Sequence, residues 1–228
     1  MSLAATVSLP VHVVSSSCVG DPRSSQLYFA SLLAQRRAVG GELCVALRRL
    51  HTIVGTTEFD HLRVSRFPRP AAVHRLDRWA RLVPLARLRA RGVRDLRESL
   101  ANVERAPADW RELRAVWALL DGPDVIGVPE RLTDRVLSLL AEHPETHGKC
   151  VFKASLASIP RPEGSVGPPP LAAAELTLVG FPSPRIALDT LRFPEFRALI
   201  AGAASAASPS GQWALLERVS LREMLTPA

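Results

Sequence analysis

The stretch Leu176-Thr177-Leu178-Val179-Gly180-Phe181-Pro182-Ser183-Pro184 runs an apolar strand pattern into a Phe-Pro-x-Pro corner, and the same corner occurs earlier as Phe67-Pro68-Arg69-Pro70. The separation is 181 − 67 = 114 residues in a chain of 228. The correspondence extends both ways. Leu62 and Val64 precede the first corner as Leu176 and Leu178 precede the second, and Trp79, Leu82 and Leu85 follow it as Phe193, Phe196 and Leu199 follow the other. Upstream, Ser31-Leu32-Leu33-Ala34 recurs as Ser138-Leu139-Leu140-Ala141 and Cys44-Val45 as Cys150-Val151, at offsets of 107 and 106. A unit this long, used twice, predicts two packed repeats, residues 1–106 and 107–228, since a solenoid needs three or more short units.

Each copy reads in the same order. In the first, Pro10–Ser15 is a valine-rich strand, and Ser24 is positioned to cap a helix that Gly40-Gly41 ends near Val39. Leu43–Leu50 and Phe59–Phe67 are strands joined by a hairpin at Gly55-Thr56-Thr57. Pro70 opens a second helix that Pro84 kinks or ends, and Leu96–Val103 is the fourth strand. In the second copy the strands are Leu113–Leu120, Lys149–Ile159, Ala174–Phe181 and Trp213–Val219. Its helices open at Pro129 and Pro184, the latter running to about Ala204. Arg105–Arg111 is the linker, and proline-rich Pro160–Pro170 reads as a mobile loop. The order is strand-helix-strand-strand-helix-strand, the ferredoxin-like split βαβ. Right-handed crossovers put both helices on one face of each sheet, leaving an apolar face that needs cover. The expected fold is therefore α+β: two ferredoxin-like βαββαβ repeats packed sheet to sheet as a pseudo-dimeric α+β barrel with the helices outside.

The apolar strand, the Phe-Pro-x-Pro corner and the helix with Phe193-Pro194-Glu195-Phe196 resemble the dimeric α+β barrel superfamily, closest to small DUF1330-like proteins. The first copy departs from the pattern, with Ala80-Arg81-Leu82 in place of Pro194-Glu195-Phe196. The resemblance implies a fold and no particular catalytic residue. It also implies a small-molecule site, because the superfamily includes cofactor-independent oxygenases, isomerases, cyclases and haem-handling enzymes. No cofactor is evident in the residues, and haem stays among those the resemblance leaves open.

Composition adds limits. Residues 1–110 carry 17 Arg and 9 acids (+8), and residues 111–228 carry 12 Lys or Arg and 13 acids (−1), which sum to the net +7. Lysine occurs only at Lys149 and Lys153, a bias expected of a GC-rich bacterial genome, so the charge is weak evidence for nucleic acid. Arg75, Arg78 and Arg81 share a helix face that reads as solvated, with docking of nucleic acid or an acidic partner as the rival reading. No apolar run approaches the roughly 20 residues of a membrane helix, and no secretory leader is visible, so a cytoplasmic location is expected, as a monomer or a further homodimer. Cys18, Cys44 and Cys150 lack metal or disulfide spacing, and Pro144 interrupts the His143/His147 pair, so no metal site is expected.

Strand alternation nominates a site. With Leu62 and Val64 toward the helices, His61, Arg63 and Ser65 would face the barrel, joined by Glu175 and Thr177 at the matching positions of the second copy. Such a lining suits a polar or anionic ligand, the alternative being solvated polar faces. His12 either points inward or is a satisfied core histidine, and Trp213 could stack on a flat ligand or simply pack. Three functions follow: a small-molecule site inside the barrel, a non-catalytic interaction or ligand-sensing scaffold, and, last, nucleic-acid binding.

Overall fold

The computed structural model describes residues 10–56, 59–122, 131–161, 167–205, 211–220 and 223. The chain begins with β1 (Val11–Val19), α1 (Pro22–Ala38), β2 (Glu42–Val54), β3 (His61–Phe67), α2 (Pro70–Ala80), α3 (Val83–Gly92) and β4 (Val93–Arg105). A second half follows with β5 (Ala115–Asp121), α4 (Leu132–Glu142), β6 (Lys149–Ser158), β7 (Glu175–Phe181), α5 (Pro184–Thr190), α6 (Pro194–Ser205) and β8 (Gly211–Arg218). The strands close into one antiparallel barrel in the order β1-β3-β2-β8-β5-β7-β6-β4. Read from β4, the order is β4-β1-β3-β2 and then β8-β5-β7-β6, the ferredoxin-like arrangement twice over.

Local chemistry explains the joints. Asp21, not Ser24, caps α1: its Oδ2 accepts from the Ser24 N–H at 2.7 Å, and Pro22 follows at the first helical position. The helix ends as its glycines predict. Gly40, at φ +76°, and Gly41 donate to the Arg37 and Arg36 carbonyls at 2.9 and 2.8 Å, a Schellman closure. Both second helices are interrupted, because Pro84 and Pro194 restart them as α3 and α6; the single helix expected from Pro184 to Ala204 is thus two. Pro129 lies outside the described residues. β2 and β3 pair antiparallel, as the expected hairpin requires, with Gly55 in their connection at φ +75°; Thr57 lies outside the described residues.

Two strands are much longer than their partners. β2 pairs with β3 through Glu42–Arg48, and its far part, Leu47–Val54, pairs with β8. β4 likewise pairs with β1 and then, through Ser99–Arg105, with β6. These overhangs join the halves at both seams. The barrel interior is a single apolar cluster fed by all eight strands, including Val14, Val64, Ala101, Val116, Leu178 and Leu216. Its ends are stoppered by Leu113 and Trp110 on one side and by Phe59 and Leu171 on the other. Outside the barrel, each half packs its helices in a separate core: Tyr28, Phe29, Phe67 and Leu76 in the first, Trp117, Phe181, Phe196 and Trp213 in the second.

The barrel interior is the element on which stability rests most. Leu62, fully buried there, should lose about 2–5 kcal/mol when replaced by Ala. Leu27, 51% exposed on α1, should change by no more than about 0.5 kcal/mol under the same substitution. Urea unfolding followed by far-UV circular dichroism distinguishes the two.

Candidate functional site

The parity expected for β3 is reversed. Leu62 and Val64 point into the barrel, and Arg63 faces the helices, where its guanidinium carbon sits 3.6 Å above the Phe29 ring and Nη1 donates to Ser17 Oγ at 2.9 Å. The interior around Leu62 and Val64 is an apolar cluster, whereas the helix side offers a ring face and a hydroxyl, so burial cost selects this orientation. Ser65 lines the space below the helices with it. Burial pushes the Arg63 guanidinium down to about 9, with nearby Arg36 adding to the effect. His61 is partly buried beside it, its ring pushed down to about 4 by burial first and then by Arg63.

The matching residues of β7 also face outward and do not converge with those of β3. Glu175 is buried and pairs with Arg131 Nη1 at 2.8 Å and Lys153 Nζ at 3.5 Å, and Thr177 is fully buried with no partner for Oγ1. Trp213 is core: it meets Trp117 edge-on at 4.9 Å between centroids and is fully buried. The shared barrel-lining site of His61, Arg63, Glu175 and Thr177 therefore does not exist. His143 closes α4, while His147 follows a 3-10 turn in the left-handed region, so the pair share no helix face.

One nominated residue does reach a cavity. His12 stands in a row across the first half, with Arg66 opposite on β3, Glu42 beyond it on β2 and Ala101 on its other side. This row edges a cavity of about 480 Å³ at the barrel mouth, where the linker crosses. Trp110 and Arg111 wall it from the linker, Cys44 from β2 and Arg218 from the end of β8. Arg66 pairs with Glu42 at 2.7 Å, and Arg218 Nη1 donates to the Arg111 carbonyl at 2.7 Å. Trp110 leans on Phe152 at 5.4 Å. Burial, then Arg66, lowers His12, which leaves a neutral ring able to donate and accept. Burial also raises the Cys44 thiol to about 11, keeping it protonated and a poor nucleophile.

Sequence reasoning missed Arg66, Arg218 and the linker's part in this wall. The signal for the linker was present, since Trp110 is the one large hydrophobe in Arg105–Arg111. The proline-rich segment expected to be mobile is held wherever it is described: the Pro169 carbonyl accepts from Glu98 N at 2.9 Å, and Arg161 bonds the Pro168 carbonyl. Arg75, Arg78 and Arg81 are exposed, as a solvated face requires.

No family model and no curated protein matches the chain. Among solved structures it is similar to an anthrone oxidase-like protein, with TM-score 0.53, 10% identity and 92% of each chain covered. A DypB variant from Rhodococcus jostii in complex with heme matches with TM-score 0.48 and 11% identity, covering 98% of each chain. A heme-binding protein from Thermus thermophilus matches with TM-score 0.45 and 12% identity, covering 94% of this chain and 93% of that one. At 10% identity the likeness to the anthrone oxidase-like protein shows the fold alone. Among the described residues no helix is long and apolar enough to cross a membrane, and no cluster of His, Cys, Asp and Glu could hold a metal ion.

Neither the barrel interior nor the second half's helix–sheet space leaves room for haem. The interior is filled by apolar side chains and the second half's helix–sheet space by Trp117, Phe181, Phe196 and Trp213.

His61 gives a pH test of this geometry. Its unfolded-state ring takes a proton near 6.5 and its folded-state ring only near 4, so the unfolded chain binds more protons between those values. The contribution of His61 to stability should fall as pH drops through that window. Urea midpoints at pH 6.5 and 4.5 should show a smaller drop for His61→Gln than for the unaltered protein.

Proposed function

We propose that this protein binds a flat, anionic small molecule in the barrel mouth, as a non-catalytic ligand-binding or sensing protein. The observation that carries the reading is the cavity between the His12–Arg66–Glu42 row and the linker, whose volume of about 480 Å³ lies within the roughly 300–1,000 Å³ of small-ligand sites. Trp110 offers a ring face, and Arg66, Arg111 and Arg218 exceed the acids Glu42 and Asp109 on its wall. Binding is favoured over catalysis because the reactive groups are quieted: the Cys44 thiol is raised, Glu42 is held by Arg66, and among the described residues His12 has no carboxylate partner to orient it as a base. The alternative is a cofactor-independent enzyme of oxygenase, isomerase or cyclase type working in the same mouth.

The chain itself is proposed to be a tandem fusion of two ferredoxin-like repeats, 1–106 and 107–228, of a DUF1330-like ancestor, acting in the bacterial cytoplasm. The corner repeat at an offset of 114 and the doubled strand order support the fusion. Every strand finds both neighbours within the one chain, which supports a monomer.

The anionic dye 1-anilinonaphthalene-8-sulfonate tests the site. It should bind the native protein at one per chain, and Trp110→Ala and Arg218→Met should each weaken it on the order of tenfold, equivalent to about 1.4 kcal/mol, with Leu27→Ala unchanged. Equal dye affinity in all four proteins would sink the assignment.

A further inference from the structure

The two halves differ most at one place under the helices. In the first half, Ser15 lies opposite Arg63 and Glu98, and Ser65 lies two residues along β3 from Arg63. The same register in the second half puts Leu119 opposite Thr177 and Trp213, with Val179 in place of Ser65. A shelf that is apolar but for Thr177 in one half is thus a charged shelf in the other, so the fold itself does not require the charge.

Charge on that shelf is unbalanced. Arg36, on the inward stripe of α1 one turn beyond Leu32, is only 6% exposed, and Arg63 is 2% exposed. Nε of each has no hydrogen-bond partner, and no carboxylate lies within ion-pair distance of either among the described residues. Arg36 lines a cavity of about 30 Å³ together with Ser15, Ser65, Tyr28 and Glu98, with Asp77 of α2 and Arg89 of α3 at its wall. Glu98 supplies the missing charge only in part: burial, then Asp77, pushes its carboxyl up to about 7, against the pull of Arg89, Arg161 and Arg36, so a sizeable fraction of it is protonated near neutral pH. A buried guanidinium without a counter-charge costs several kcal/mol, and two neighbouring ones cost more.

We propose that this enclosed shelf is a binding site for a small monovalent oxyanion, held by Arg36 with Arg63 behind it and the Ser15 and Ser65 hydroxyls around it. The cavity sets the size. One water needs about 10–15 Å³, so this space takes roughly two or three non-hydrogen atoms as it stands and a fourth when its side chains relax, the size of formate or nitrite, with nitrate at the upper limit. The site lies outside the barrel and is independent of the mouth.

Nitrate and formate are the probes, with sulfate as the control and sodium gluconate, too bulky for the cavity, balancing ionic strength. Sulfate stabilises folded proteins generally through exclusion from their surfaces, which nitrate does not share. The native protein should show a saturable rise in melting temperature with nitrate and formate, and isothermal titration should give one site per chain. Arg36→Met should lower the affinity at least tenfold. Glu98→Gln removes the competing carboxylate and should tighten nitrate binding several-fold, an effect a purely structural role would not produce. The proposal is overturned if nitrate and formate give no saturable response, if sulfate alone acts, or if Arg36→Met binds as the native chain does. Should Arg36→Met fail to fold, the Glu98→Gln titration decides, and an unchanged affinity there overturns the proposal as well.

Discussion

Edge pairing between β2 and β8 and between β4 and β6 is the constraint on which everything else depends. A four-stranded sheet has two edges with unpaired backbone groups, and exposed edges recruit other strands. The 13-residue strands β2 and β4 solve this by serving two partners each, one within their own half and one across the seam. With both seams closed, the two sheets can only curl toward each other. Their bare faces become one interior, and the helices are left outside on two separate cores. Val54, at the far end of β2, even packs in the second half's helix–sheet core.

A closed barrel of eight strands is just wide enough to be filled by its own side chains, and this one is. Leucine, valine and phenylalanine from every strand occupy the middle, and linker and loop residues cap both ends. Among the described residues, space for ligands therefore lies at the periphery: at the mouth beyond Val14 and Val64, at the opposite end beside Phe59 and Leu171, and beneath the helices. His12 keeps access to the mouth because it sits two residues outside Val14 on the same face of β1, where the packed interior gives way to the charged row it shares with Arg66 and Glu42.

Much of the architecture was legible because it depends on punctuation: glycines ending α1, prolines opening α2 and α5, and a corner repeated at constant offset. The faces were not. Every residue of β5 and β7 is buried, and so are most of those in β3, since one side meets the interior and the other the helices. Period-2 alternation marks a wet face against a dry one, and it has nothing to report when both are dry. The polar set of β3 was therefore sent to the wrong side. Register fixes a smaller error: Leu43 opposes Ser65 as Cys150 opposes Val179, so the unpaired bulge residues are Cys44 and Val151, an offset of 107 that agrees with the helix anchor. Two signals went unread. Arg36 continues the inward stripe of Phe29 and Leu32, and Glu98 stands between Leu96 and Leu100 on one strand face. A charge on an apolar period is the mark of a local rule broken.

Joining both halves in one chain explains how such a break is tolerated. In an assembly of two identical chains, a substitution that buries charge is made twice, and its destabilisation is doubled. Here the second half carries the dense aromatic packing of Trp117, Trp213, Phe181 and Phe196, with ring centroids 4.4 to 5.7 Å apart. Folding is cooperative through the shared interior, so stability gained on that side also holds the first half together. The first half is then free to keep Ser15, Ser65 and Glu98 where its counterpart keeps Leu119, Val179 and Trp213, and a buried Arg63 where its counterpart keeps Thr177. Functional sites are where natural chains accept such local losses. Both cavities with charged walls, the mouth row of His12, Arg66 and Glu42 and the shelf of Arg36 and Glu98, draw those residues from the first half.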